Sequence, residues 1–130
     1  MFDLRPIVFV LGVLLLIVAA ILLVPAGYIL FTGADTATNM RAFITTSALT
    51  ALAGLPMALM TRGANFRLVP RQLYLLTVSS WVTVGAFCAL PFALSDMQMS
   101  VVDSLFETIS GITTTGSTVL IGLDLSLIHI

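Results

Sequence analysis

The residues in this chain with the most chemistry to offer carry no charge. Positions 110 to 120 read "SGITTTGSTVL", which sets Ser110, Thr113, Thr114, Thr115, Ser117 and Thr118 beside Gly111 and Gly116. Such a strip has three uses: hydroxyl nucleophiles, a glycine cradle for phosphate, or main-chain oxygens for a cation. A nucleophilic Ser110 or Ser117, as in an intramembrane hydrolase, needs a neighbouring base. The apolar runs around the strip hold no His or Asp to serve as one. "GITTTGST", residues 111–118, nearly meets the phosphate-loop pattern, but Ser117 stands where the phosphate-binding lysine belongs, and a helical pattern precedes it rather than a strand. The third use fits. Threonine suits extended backbone, Gly116 permits dihedrals that a side chain forbids, and carbonyl oxygens replace the hydration shell of a potassium ion in a filter. The strip is polar yet uncharged because its backbone would do the coordinating.

Other reactive groups are sparse. Glu107 is placed either to attract cations at the mouth of such a filter or to support the loop by hydrogen bonding. Asp103 and Asp124 read as surface acids. His129 has no partner His, Cys or paired carboxylate for a metal, and the single Cys88 excludes a disulfide framework. No cofactor is expected, nor any metal other than a transported potassium ion. A net charge of −1 without a basic patch gives nucleic acid nothing to hold.

The elements that must position the strip are membrane spans. The 130 residues are 59% hydrophobic and only 8% charged, far below the roughly 25% charged of a soluble domain. Residues 7–31, 42–61 and 72–95 hold no charged side chain. Each run reaches the roughly 20 residues needed to cross a bilayer core and must satisfy its own backbone hydrogen bonds as a helix. The first run is too long for a signal-peptide core, so a retained helix is expected. Thr, Ser, Ala and Gly enrich the second run, which suits close approach to a neighbouring helix. The third contains Trp81 and Pro91. "TGADTATN", residues 32–39, reads as a turn, and "RGANFRLVPR", residues 62–71, as a basic loop. Arg5, Arg62, Arg67 and Arg71 lie on one side and Arg41 on the other, which places the N-terminus in the cytoplasm. Residues 96–124, with Asp96, Asp103, Glu107, Asp124 and no base, then lie outside.

After the third run, "SVVDSLFETISG", residues 100–111, predicts a short helix. Ser100 and Asp103 form a capping box, Val101, Val102, Leu105, Phe106 and Ile109 recur at helical spacing, and Gly111 is the expected stop. Eleven residues span only ~16 Å, half a bilayer core. A half-helix that enters the membrane and hands over to extended backbone is tolerated where that backbone lines a wet cavity or is buried in protein.

The stretch "FETISGITTTGSTVLIGLD", residues 106–124, resembles the first pore loop of the Trk/Ktr-type potassium-uptake transporters, in particular the membrane subunit of the bacterial Trk system. "ALPFALSD", residues 89–96, resembles the end of the helix before that loop, and the two earlier spans match the family's N-terminal helical pair. The resemblance implies an all-α membrane protein: three transmembrane helices plus a re-entrant half-helix pore loop, an incomplete part of a four-repeat helix–pore-loop–helix fold. Residues 1–71 would form the N-terminal helix pair with its cytoplasmic basic loop, and residues 72–130 the first helix–pore-loop unit, cut before its second helix. Gly116 would be the central filter glycine. Thr113, Thr114, Thr115, Gly116 and Ser117 would offer backbone oxygens to potassium. Implied partners are membrane lipid, the remaining three pore-loop repeats of a full-length chain, a second copy in a homodimer and a cytosolic nucleotide-binding regulatory subunit. The implied location is the bacterial inner membrane. "SLIHI", residues 126–130, departs from the family pattern and reads as a truncated or mis-joined end. The competing reading is a non-transporting membrane scaffold or regulatory subunit in which the strip is merely packed.

Overall fold

The computed structural model describes residues 4–33, 37–63, 69–95 and 99–120. Arg67, Asp96, Asp124, His129 and the 126–130 tail lie outside the described residues. Four helices follow in order: α1 Arg5–Thr32, α2 Ala37–Met60, α3 Pro70–Leu94 and α4 Val101–Ile112. At 28, 24 and 25 residues, α1, α2 and α3 exceed the ~30 Å of a bilayer core, and each is apolar enough to cross one. At 12 residues, or ~18 Å, α4 is not.

Local chemistry sets the ends of these helices. Pro6 sits in the first turn of α1, where its missing N–H costs nothing. Gly33, at φ 60°, closes α1 by donating its N–H to the Ile29 carbonyl. At the start of α3, Pro70 takes the first helical position and the Gln72 side chain accepts the Val69 N–H at 3.0 Å.

α1 and α2 meet along a seam of small side chains, as the composition of the second run predicts. Gly12, Leu15 and Ala19 of α1 are buried against Ala42, Thr46, Thr50, Gly54 and Ala58 of α2. A Cβ added to Gly12 would lie 2.6 Å from the Ala58 nitrogen, and one added to Gly54 would lie 2.8 Å from the Gly12 oxygen. The two backbones are therefore in contact. Ser47 Oγ adds a cross-helix hydrogen bond to the Ala19 carbonyl at 2.8 Å. Beside it, Thr46 is fully buried and its hydroxyl has no hydrogen-bond partner among the described residues. The opposite flank of α2, with Ile44, Leu49, Leu52, Leu55 and Leu59, is exposed apolar surface that a bilayer or further protein would cover.

α3 carries α4. Gly85 of α3 is buried beneath Ile109 of α4, with 3.7 Å from an added Cβ to Ile109 Cγ1. The last residue of α4, Ile112, closes an open apolar cleft of about 180 Å³ with Leu14 of α1 and Ser80, Trp81 and Val84 of α3. α4 buries its hydroxyl face. Ser104, Thr108 and Ser110 are inside, while Val101, Val102, Phe106 and Ile109 are exposed. The buried hydroxyls of Ser104 and Thr108 donate one turn back, to the carbonyls of Ser100 and Ser104.

Candidate functional site: a helix–strand hairpin

The site is built on α4. Ser100, with extended backbone, caps the helix by accepting the Asp103 N–H at 3.1 Å. The Asp103 carboxylate answers the Ser100 hydroxyl at 2.7 Å, so the two side chains lock together. Asp103 also lies in the first turn, where a negative charge complements the helix dipole.

The far end differs from the sequence expectation. Gly111 does not stop the helix; it lies within the last turn, and the backbone reverses at Thr114. Thr113 N–H bonds to the Ile109 carbonyl, Thr114 N–H to Gly111 and Thr115 N–H to Ser110, at 2.9, 3.2 and 3.0 Å. The last two are the paired bonds of a Schellman closure, which requires a left-handed residue between them. That residue is Thr114, at φ 55°. A β-branched side chain is rarely found there, at a cost of about 1–2 kcal/mol. Neighbouring threonines brace the turn: Thr113 Oγ1 donates to the Ile109 carbonyl at 2.7 Å and lies 2.7 Å from Thr115 Oγ1.

Gly116, at φ 74°, is the second left-handed position and turns the chain back. Nothing lies within 4 Å of the place its Cβ would take, so conformation, rather than space, calls for glycine here. The returning strand runs antiparallel to α4. Ser110 Oγ donates to the Ser117 carbonyl at 2.5 Å. One helical turn earlier, the Glu107 carboxylate accepts the Thr118 hydroxyl at 2.9 and 3.1 Å and the Val119 N–H at 3.1 Å. Leu120 N–H then bonds to Thr118 Oγ1 at 3.0 Å. Later residues of the returning segment thus pair with earlier helix residues, and the unit is a hairpin of one helix and one irregular returning segment.

The five positions expected to offer carbonyls fall together on the tip. Thr113, Thr114, Thr115, Gly116 and Ser117 are all exposed. Among the described residues, no hydrogen bond reaches the main-chain oxygens of Thr113, Thr114, Thr115 and Gly116. The Ser117 oxygen is different, because Ser110 already occupies one of its lone pairs. The Glu107 carboxylate holds the returning segment through Thr118 and Val119. The described residues contain no cluster of three His, Cys, Asp or Glu side chains that could hold a metal ion. The contributions of Ser110 and Thr118 were not legible from residue types. Their only sequence signal is spacing, seven residues from Ser110 to Ser117 and eleven from Glu107 to Thr118, which gains meaning once the strand is known to fold back.

Three spanning helices followed by a half-length helix with a returning strand define a multi-pass helical membrane protein of re-entrant-loop type. No family model matches the chain. Individual proteins do. It is 34% identical over 119 residues to the Trk system potassium uptake protein TrkI of Halomonas elongata, covering 92% of this chain and 24% of that protein. It is 37% identical over 124 residues to TrkH of the same organism, covering 95% of this chain and 25% of that protein. The crystal structure of the potassium transporter TrkH from Vibrio parahaemolyticus superimposes with a TM-score of 0.84 at 31% identity, over 95% of this chain and 26% of that one. The chain belongs to the Trk family of potassium-uptake membrane subunits and spans about a quarter of the length of the relatives it matches.

Proposed function

We propose that this chain supplies one pore loop of a potassium-uptake path. The main-chain oxygens of Thr113, Thr114, Thr115 and Gly116 face the ion, with Ser117 contributing its remaining lone pair. One observation carries the reading: four successive carbonyls without hydrogen-bond partners among the described residues sit at the tip of a hairpin braced by the side chains of Glu107, Ser110, Thr113, Thr115 and Thr118. Desolvating a potassium ion needs such oxygens, several at a time and already oriented. The C-terminal end of α4 adds partial negative charge at the same place.

One hairpin gives one quarter of a ring, so the rest of the path comes from the remaining repeats of a full-length chain. The proposed setting is the bacterial inner membrane. The end bearing Arg5, Arg62 and Arg71 faces the cytoplasm, where a nucleotide-binding regulatory subunit docks on a homodimer. The test uses a full-length Trk membrane subunit in which residues 4–120 of this chain replace the matching quarter. The chimaera is expected to take up potassium, and Gly116→Ala is expected to cut uptake or potassium-over-sodium preference about tenfold, since a side chain at φ 74° shifts the neighbouring carbonyls. Unchanged selective uptake with Gly116→Ala would leave the scaffold reading in its place.

A further inference from the structure

We infer that Glu107 is a positioning residue for the carbonyl tip: its carboxylate, together with the Ser110 hydroxyl, clamps the returning strand to α4 and so fixes the register of residues 113–116. The inference rests on the pore-loop reading and assigns Glu107 a role other than attracting ions by charge.

The geometry is that of a two-point clamp. Ser110 is buried and grips the strand at the Ser117 carbonyl. Glu107, one turn closer to the start of α4, grips the next two residues, taking the Thr118 hydroxyl with both oxygens and the Val119 N–H with one. Between these grips and the Schellman closure at Ser110 and Gly111, only Gly116 is without a bond to α4 among the described residues. Both ends of the tip are therefore tied to the same helix. The ties to Glu107 are charge-assisted, the stronger class of hydrogen bond. Thr118 is itself held from behind by the Leu120 N–H, so its hydroxyl is oriented toward the carboxylate. A carboxylate that takes two donors of the returning segment, the Thr118 hydroxyl shared between its oxygens and the Val119 N–H, is placed to hold carbonyl oxygens in position. A freely hydrated acid at the mouth would attract cations and leave the strand untied.

The two roles respond differently to glutamine. In Glu107→Gln the amide oxygen still accepts from Val119 N–H and Thr118 Oγ1, while the charge is gone. In Glu107→Ala both are gone. The experiment measures potassium and sodium uptake in the full-length chimaera carrying residues 4–120, at matched membrane abundance and at two ionic strengths. A clamp predicts that Glu107→Gln stays within about twofold of the parent in potassium-over-sodium preference. Glu107→Ala loses about tenfold, as expected for charge-assisted bonds removed from a positioned strand. The loss is the same at both ionic strengths. Thr118→Val reproduces part of it, and the Glu107→Ala/Thr118→Val double variant is no worse than Glu107→Ala alone, because the two side chains act as one unit. Equal losses in Gln and Ala that fade at high salt would instead make Glu107 a charge at the mouth and overturn the clamp. So would a parental preference in Glu107→Ala while Gly116→Ala is impaired, with the pore-loop reading left standing. If the chimaera transports selectively and is indifferent to Gly116→Ala as well, the underlying reading fails too.

Discussion

Replacing Gly12 with alanine puts a methyl carbon 2.6 Å from the Ala58 nitrogen, 2.9 Å from the Gly54 oxygen and 2.9 Å from Met57 Cβ. Two of these three atoms are backbone and have no rotamer to move into. Ordinary contact begins at 3.4 Å, so α1 and α2 must separate locally by about 0.8 Å. A gap of that size forfeits a quarter to a half of each dispersion contact across the seam. Between spans in lipid, packing of this kind is the main attraction, since the tails are as apolar as the side chains. Overpacking costs about 1–3 kcal/mol in well-packed interiors. Alanine also gains about 1 kcal/mol of helix propensity over glycine, which offsets part of the loss. Gly85→Ala serves as the control: it takes the same propensity gain, and its methyl meets only Ile109 Cγ1, at an ordinary 3.7 Å. Thermal unfolding in detergent, followed by far-ultraviolet circular dichroism at one scan rate, should place the Gly12→Ala midpoint about 3–10 °C below that of Gly85→Ala. The Gly85→Ala midpoint should equal or exceed the parent. Equal midpoints for the two variants would refute the backbone-contact seam.

The neighbouring seam hydroxyls should behave in opposite ways. Thr46→Val removes a buried hydroxyl that has no partner among the described residues and is expected to be neutral or stabilising, whereas Ser47→Ala breaks the bond to the Ala19 carbonyl and costs about 0.6 kcal/mol, read from the same unfolding curves. Ser100→Ala removes the cap of α4 and should cost about 1 kcal/mol, visible as faster amide exchange in the first turn of α4 while exchange in α1 is unchanged. Thr114→Gly relieves the left-handed β-branched residue and should keep the Schellman closure, with slow exchange retained at Thr115 N–H. Thr114→Pro cannot adopt φ 55° and should release that amide.

The three spans were legible because their cause is local. Uncharged runs between Arg5, Arg41, Arg62 and Arg71 are long enough to cross a membrane whatever they pack against. The small-residue character of the second run also announced close packing, although which residues touch, Gly12 against Gly54 and Ala58, depends on helix rotation that no single run encodes. The half-length of α4 and its Ser100 cap could be read from spacing. Its end could not, because the rule that places glycine at a helix stop pointed to Gly111, while the closure takes Thr114. The threonine hydroxyls around it, and the grip of Ser110 and Glu107 on the returning strand, supply the competing bonds. Those bonds join residues seven to twelve apart, a distance over which side-chain periodicity carries no signal. The same gap hid which face of α4 is buried. Apolar periodicity marks a face without saying whether protein or lipid covers it, and here the hydroxyl face turned inward.

The central claim is that the unbonded carbonyls of residues 113–116 bind a potassium-sized cation. Anomalous diffraction from crystals of the full-length chimaera grown in rubidium tests it at the atoms concerned. The account predicts a rubidium peak within coordination distance of the main-chain oxygens of Thr113, Thr114, Thr115 or Gly116, and its loss or displacement in Gly116→Ala. A well-ordered hairpin with rubidium bound elsewhere along the path, and none at those oxygens, would contradict it.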